Sequence, residues 1–155
     1  MKKLALALIV LAAPALARDK KTPAPAPIAP SVDGLPIGVL PKQDLPAKGC
    51  AAFLWTRGPS QAMIAMAVAD PGKIRLTIDG KVQDFAMIGQ DGTGGFGFSH
   101  TTEYKGGDVT ATLDMTIAND ANLANGARIG EATLRIDRPG QDTVVVPAGG
   151  LIGCA

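Results

Sequence analysis

The sequence predicts an all-β fold, a small antiparallel β-sandwich or closed β-barrel of about eight strands, preceded by a signal peptide and a Pro-rich linker. Three observations carry this. Asp108–Ile117 (DVTATLDMTI) alternates apolar and polar residues without a break, as a strand with one wet face does. The other apolar segments are short and are separated by Gly, Pro and Asp clusters with turn chemistry. The only two cysteines, Cys50 and Cys154, bracket everything that shows this pattern.

Taken in order, residues 1–17 (MKKLALALIVLAAPALA) have the build of a secretory signal peptide. Lys2 and Lys3 precede an apolar run from Leu4 to Ala13, too short to span a bilayer, and Ala15-Leu16-Ala17 supplies the small residues of a cleavage site. Nothing like a stop-transfer segment comes after it, so no stable membrane span is expected after cleavage. The cut removes two of the fifteen basic residues and none of the fourteen acidic ones, turning the net charge from +1 to −1. Such a balance, without a basic stripe, excludes nucleic acid as an electrostatic partner.

Residues 18–48 form the linker, with prolines at 23, 25, 27, 30, 36, 41 and 46. Proline fixes φ and lacks the amide proton, so helix and central strand are both closed to this stretch, and the linker is expected to be dispensable for folding. Ile37, Val39, Leu40 and Leu45 nonetheless give its later part apolar side chains able to pack on the domain.

Residues 49–155 form the single β domain. Its strands are expected at Cys50–Arg57, Ala62–Ala69, Lys73–Ile78, Lys81–Ile88, Phe96–Tyr104, Asp108–Ile117, Glu131–Asp137 and Asp142–Pro147. Ala62–Ala69 (AMIAMAVA) has helix-favouring residues and is apolar all round, but eight residues between two proline-containing turns suit a strand. Asp79-Gly80 predicts a two-residue hairpin with Arg75 opposite Asp84 and Ile74 opposite Phe85. The same register sets Leu76 against Gln83, a poor match that leaves a three-residue loop open. Asn119–Gly126 is the longest polar connection, with room for a helical turn. Export places Cys50 and Cys154 in an oxidising compartment, where a disulfide is the default, and no C-x-x-C spacing suggests redox thiols.

The stretch GQDGTGGFGFSH, residues 89–100, contains Gly92, Gly94 and Gly97 at G-x-G-x-x-G spacing. A dinucleotide turn needs a strand before it and a helix after it, and the residues after Gly97 read as a strand. The glycines are expected to make a turn and a bulged strand start. Ser99 and His100 are neighbours, and neighbours on a strand point to opposite faces, so they form no catalytic dyad. A single histidine and paired cysteines leave no transition-metal set, and Asp120–Glu131 lacks two positions of a calcium loop. No cofactor, metal or catalytic residue is therefore expected. Carboxylates are spread singly, so no spacing points to a glycosidase pair.

The candidate site residues are of two kinds. Asp91 and Phe96 lie in a glycine-rich loop, and loops on a rigid scaffold carry binding more often than strands do. Phe53 and Trp55, two apart on one strand face, are either core or an aromatic surface for a glycan or a protein. In plan, with a leader, a small antiparallel barrel and a disulfide joining remote parts of the chain, residues 49–155 resemble the small inhibitors of lysozymes and metalloproteases in bacterial envelopes. None of their inhibitory motifs maps onto these residues. The expectation is a periplasmic or secreted, non-enzymatic binding module, an inhibitor or accessory subunit, whose partner is an envelope protein or glycan. The alternatives are a structural envelope protein on a Pro-rich spacer and a small carboxylate-dependent hydrolase. Oligomeric state is left open.

Overall fold

Eight antiparallel strands close into a barrel in the computed structural model, which describes residues 31–155. The signal peptide and residues 18–30 lie outside the described residues. The strands are β1 Cys50–Thr56, β2 Met63–Val68, β3 Lys73–Ile78, β4 Lys81–Asp91, β5 Thr101–Gly106, β6 Val109–Asn119, β7 Gly126–Asp137 and β8 Val144–Cys154. Each pairs with its neighbours in the chain, and β1 pairs with β8 to complete the wall. Closure rather than a two-sheet sandwich is the outcome, and it leaves no edge strand, each strand being paired on both sides over at least part of its length.

Alternation decides which side chains fill the interior. On β6, Val109, Ala111, Leu113 and Met115 are buried, while Thr110, Thr112, Asp114 and Thr116 face out. Ala52 and Leu54, Ala65 and Ala67, Ile74, Leu76 and Ile78, Phe85, Tyr104, Leu134 and Ile136, and Ala148 join them in one core cluster. An apolar inside and an outer face bearing Arg75, Asp84, Thr112, Asp114 and Arg135 is the reverse of a transmembrane barrel, whose lipid-facing band is apolar. Burial pushes the Tyr104 hydroxyl up to about 12, opposed by its hydrogen bond with Thr102.

The Asp79-Gly80 hairpin has two central residues, with φ of 50° and 72°, and pairs Ile78 with Lys81. Leu76 does sit opposite Gln83, and the mismatch is resolved locally: the Gln83 amide donates to the Ile78 carbonyl at 3.5 Å and stays exposed. The three-residue alternative does not occur. Ala62–Ala69 is a strand, β2.

Several expectations change: β4 runs past Ile88 to Asp91, and β7 begins at Gly126 rather than Glu131, because its pairing with β6 and β8 continues on both sides of the bulge. The strand expected from Phe96 begins at Thr101, because Phe96 and Gly97 take φ of 58° and 84° and fold residues 95–98 into a tight turn. β8 runs on to Cys154, past Pro147, since Gly149, Gly150 and Gly153 are ladder residues although their composition signals a turn. Asn119–Gly126 holds no helical turn; Asp120 accepts the Asn122 amide at 3.0 Å in an Asx turn.

The larger correction concerns the linker. Val32, Ile37 and Leu40 are buried, and Ile37, at 0 % exposure, is part of the main core. The β2–β3 ladder stops at Ala65 opposite Leu76, and the strap fills the gap above it. Gly38 N–H donates to the Thr77 carbonyl at 2.9 Å, Leu40 N–H to the Met63 carbonyl at 2.7 Å, and Thr77 Oγ1 to the Val39 carbonyl at 3.0 Å. Backbone groups that no strand satisfies must find partners elsewhere, and here strap and barrel satisfy each other. Residues 32–40 therefore belong to the domain, and only Val39 and Leu45 of the four apolar residues singled out in this segment remain exposed.

Both ends of the barrel are stoppered. Val32, Leu35 and Ile37 lie at the end that carries the β1–β2 and β3–β4 turns. Phe98, buried, and Phe96, half-buried, pack into the core from the β4–β5 loop at the other end. That end also carries the Cys50–Cys154 disulfide, which joins register partners on β1 and β8. The bond fastens the seam where the first and last strands meet. Tying residues 104 positions apart stabilises the fold by about 4–5 kcal/mol in the chain-entropy account.

Candidate functional site

β1 places Ala52 and Leu54 inward, so Phe53 and Trp55 point outward. Neither belongs to the barrel core, which corrects the reading of the pair as core. Phe53 packs under the strap with Leu40, Ala51, Met66 and Val68, in a second apolar cluster outside the wall. Trp55 lies outside that cluster and is half-buried.

Across β8, Trp55 is paired with Gly149 and Phe53 with Leu151; across β7, Leu151 is paired with Arg128. Leu151 is 45 % exposed. Trp55, Arg57, Gln61, Arg128 and Leu151 line an open groove of about 860 Å³ floored by Gly130, Gly149 and Gly150. The floor is glycine for a reason. A Cβ on Gly150 would collide with the Phe53 carbonyl, whereas one on Gly149 would sit in ordinary contact with the Arg57 guanidinium and one on Gly130 would meet nothing, so the steric reason holds at Gly150.

Arg57 is held in place by a defect in the ladder. β7 bulges at Gly130-Glu131, where pairing to β8 skips from Ile129 to Ala132 and pairing to β6 shifts between Thr116 and Ile117. The Gly130 carbonyl thus loses its strand partner. Arg57 Nη2 donates to it, and Arg57 Nε donates to the Ala148 carbonyl at 3.1 Å. Among the described residues, no carboxylate lies within ion-pair distance of Arg57 or Arg128, both of which are exposed. Asp120 feels Arg128 only weakly, through space. Gln61 enters the groove from the β1–β2 turn with φ of 44°, a left-handed conformation rarely adopted by a side chain of this kind.

Several other cations of the outer wall are engaged, although Lys81 and Lys105 have no ion pair among the described residues. Arg75 Nε and Nη2 grip Asp84 at 2.5 and 2.9 Å, Lys73 Nζ reaches the same carboxylate at 2.9 Å, and Arg75 Nη1 donates to Gln43 of the strap at 2.9 Å. The Arg75 hydrogen bond, seconded by Lys73, holds the Asp84 carboxyl at about 2. Arg135 pairs with Asp137 at 2.8 Å and Arg138 with Asp79 at 3.3 Å.

Asp91 is the exposed last residue of β4, opposite Thr101. Phe96 is turned into the core edge, so the loop pair does not form one surface. The two loops singled out in the sequence do meet: Thr93–Phe96 and Asn119 share a hollow of about 370 Å³ with His100 and Met115. His100 is exposed, Ser99 is half-buried, and no hydrogen bond joins their side chains among the described residues. No group of three His, Cys, Asp or Glu side chains comes together among the described residues.

Sequence reasoning missed Arg57, Arg128 and Leu151. Arg57 and Trp55 lie close in sequence, but Arg128 and Leu151 reach them only through the β1–β8 and β7–β8 pairings, for which no local signal exists. Comparison with protein-family models, with curated proteins and with solved structures finds no match to this chain.

Proposed function

We propose that this chain is an exported, non-enzymatic binding module of the periplasm or envelope, acting as an inhibitor or accessory subunit, and that it meets its partner through the groove around Trp55. The observation that carries this reading is a half-buried tryptophan on the outer wall flanked by two arginines without carboxylate partners among the described residues, on a floor of glycines. Tryptophan and arginine are the residues that most often dominate binding energy, and an unneutralised arginine beside an open indole favours an anionic partner. The inward side chains fill the barrel, which argues for binding on the outer wall rather than carriage of a small molecule inside. The disulfide is compatible with an oxidising compartment.

Affinity capture from an envelope extract tests the reading, with the mature protein, Trp55→Ala and Asp91→Ala as baits. A partner held by the mature protein and by Asp91→Ala, but lost from Trp55→Ala with the melting temperature preserved, supports it. Loss from Asp91→Ala alone moves the binding surface to the loop end. Turnover of an envelope substrate by the purified protein overturns the non-enzymatic assignment.

A further inference from the structure

We infer that the Trp55 groove takes a sugar chain whose rings carry carboxylates. This rests on the reading of the groove as the binding face, and it names the ligand.

Charge is the first argument. The outer wall carries several cations, and Asp84, Asp137 and Asp79 occupy Lys73, Arg75, Arg135 and Arg138. Arg57, Arg128, Lys81 and Lys105 have no such partner among the described residues, and the two arginines stand together in one groove. Arg57 is also preorganised. The Ala148 and Gly130 carbonyls fix its guanidinium over Gly149, so little side-chain freedom is lost when a ligand arrives. Those carbonyls are neutral and leave the charge uncompensated. A planar fork with donors to spare matches a carboxylate.

Shape is the second. Gly130, Gly149 and Gly150 give the groove a floor without side chains, and the groove is broad and open. The face of a pyranose ring needs no pocket. Its axial C–H groups lie flat on an indole, and the half-buried Trp55 presents the part of its ring left uncovered to the groove. Leu151 prolongs the apolar strip, and the Gln61 amide supplies donor and acceptor together, as ring hydroxyls require. The other hollows lack this combination. The one beside Asp44 and Arg75 has its cations bound to Asp84, and the one between Thr93 and Asn119 contains no aromatic beyond the half-buried Phe96.

Trp55 is the only tryptophan in the chain, so its fluorescence reports on the groove directly. The mature protein is titrated with a galacturonate oligosaccharide, with a neutral galactose oligosaccharide of equal length, and with a polyglutamate peptide. Saturable change with the galacturonate chain, at least about tenfold weaker with the neutral one and weakened by salt, is the expected result. Arg128→Ala, an exposed substitution with an unchanged melting temperature, weakens galacturonate binding about tenfold. Trp55→Ala abolishes it by calorimetry. Equal binding of the neutral chain, or no effect of Arg128→Ala, overturns the inference. Binding of polyglutamate without galacturonate also overturns it, while leaving the groove as a binding face. Silence with all three ligands overturns it too. The broader reading then stands or falls on whether Trp55→Ala loses its envelope partner.

Discussion

The β4–β5 loop, residues 92–100, and the Trp55 groove are built from the same materials, aromatic side chains on a glycine-rich backbone, and they put them to opposite use. In the loop, Gly97 and a left-handed Phe96 turn the chain back so that Phe98 is buried and Phe96 packs against the core at the barrel end. Gly94 is needed there because a Cβ would strike the Phe98 carbonyl. In the groove, the glycines lie in the strands β7 and β8, and the aromatic ring stands on the solvent side of the wall. Glycine in the loop lets the chain fold over its aromatics. Glycine in the strand keeps other side chains away from one. The first arrangement adds stability, and the second leaves a surface.

Substitutions separate the two. Phe98→Ala removes a buried ring from the core and should destabilise the fold by about 3–5 kcal/mol, measured by urea titration. Ligand binding at the groove should persist in the folded fraction. A stability change below about 1 kcal/mol would make the loop a surface like the groove. Ile37→Ala tests the opposite stopper and should cost about 2–4 kcal/mol, because Ile37 is core although it lies in the Pro-rich segment. A melting curve unchanged by that substitution would return residues 32–40 to the status of a linker.

Trp55→Ala should cost about 1–2 kcal/mol by the same titration, less than Phe98→Ala, since Trp55 is half-buried on the outer wall and Phe98 is buried in the core. Its effect should fall on binding. A loss as large as that of Phe98→Ala would make Trp55 a packing residue and break the contrast.

The smallest effect is the pH dependence of the Arg75–Asp84–Lys73 cluster, the engaged counterpart of the groove's free arginines. Asp84 has its folded-state carboxyl lowered to about 2 from 3.8. The stability it contributes is therefore present above about pH 4 and is lost as pH falls from there toward 2. The cluster is partly exposed and screened, so the loss attributable to it should be about 0.5–1 kcal/mol. Asp84→Asn should remove that part of the acid sensitivity, as read by melting temperature against pH.

Much of the barrel was legible because its signals are local. The alternation of Asp108–Ile117 appears unchanged as the buried and exposed faces of β6, and the Asp79-Gly80 turn set the β3–β4 register to the residue. β8 was read too short because Gly149, Gly150 and Gly153 read as turn residues, and only the neighbouring strands keep them in a ladder. The strap was half-legible. Ile37 and Leu40 advertised burial, but their prolines argued for a linker, and the gap between β2 and β3 that they fill does not exist in the sequence.

By itself the sequence determined the class of fold, the number of strands and the pairing of its two cysteines. These follow from two-residue periodicity, turn chemistry and the presence of two thiols, all properties of neighbouring residues or of composition. Only the tertiary structure decided which way Phe53 and Trp55 point, that Arg57 would be captured by the Gly130 carbonyl, and that Arg128 and Leu151 would stand beside Trp55. Those outcomes depend on the closing of β1 against β8 and on a bulge in β7. Ring closure brings together residues about a hundred positions apart, and no short-range pattern can encode which of them will meet.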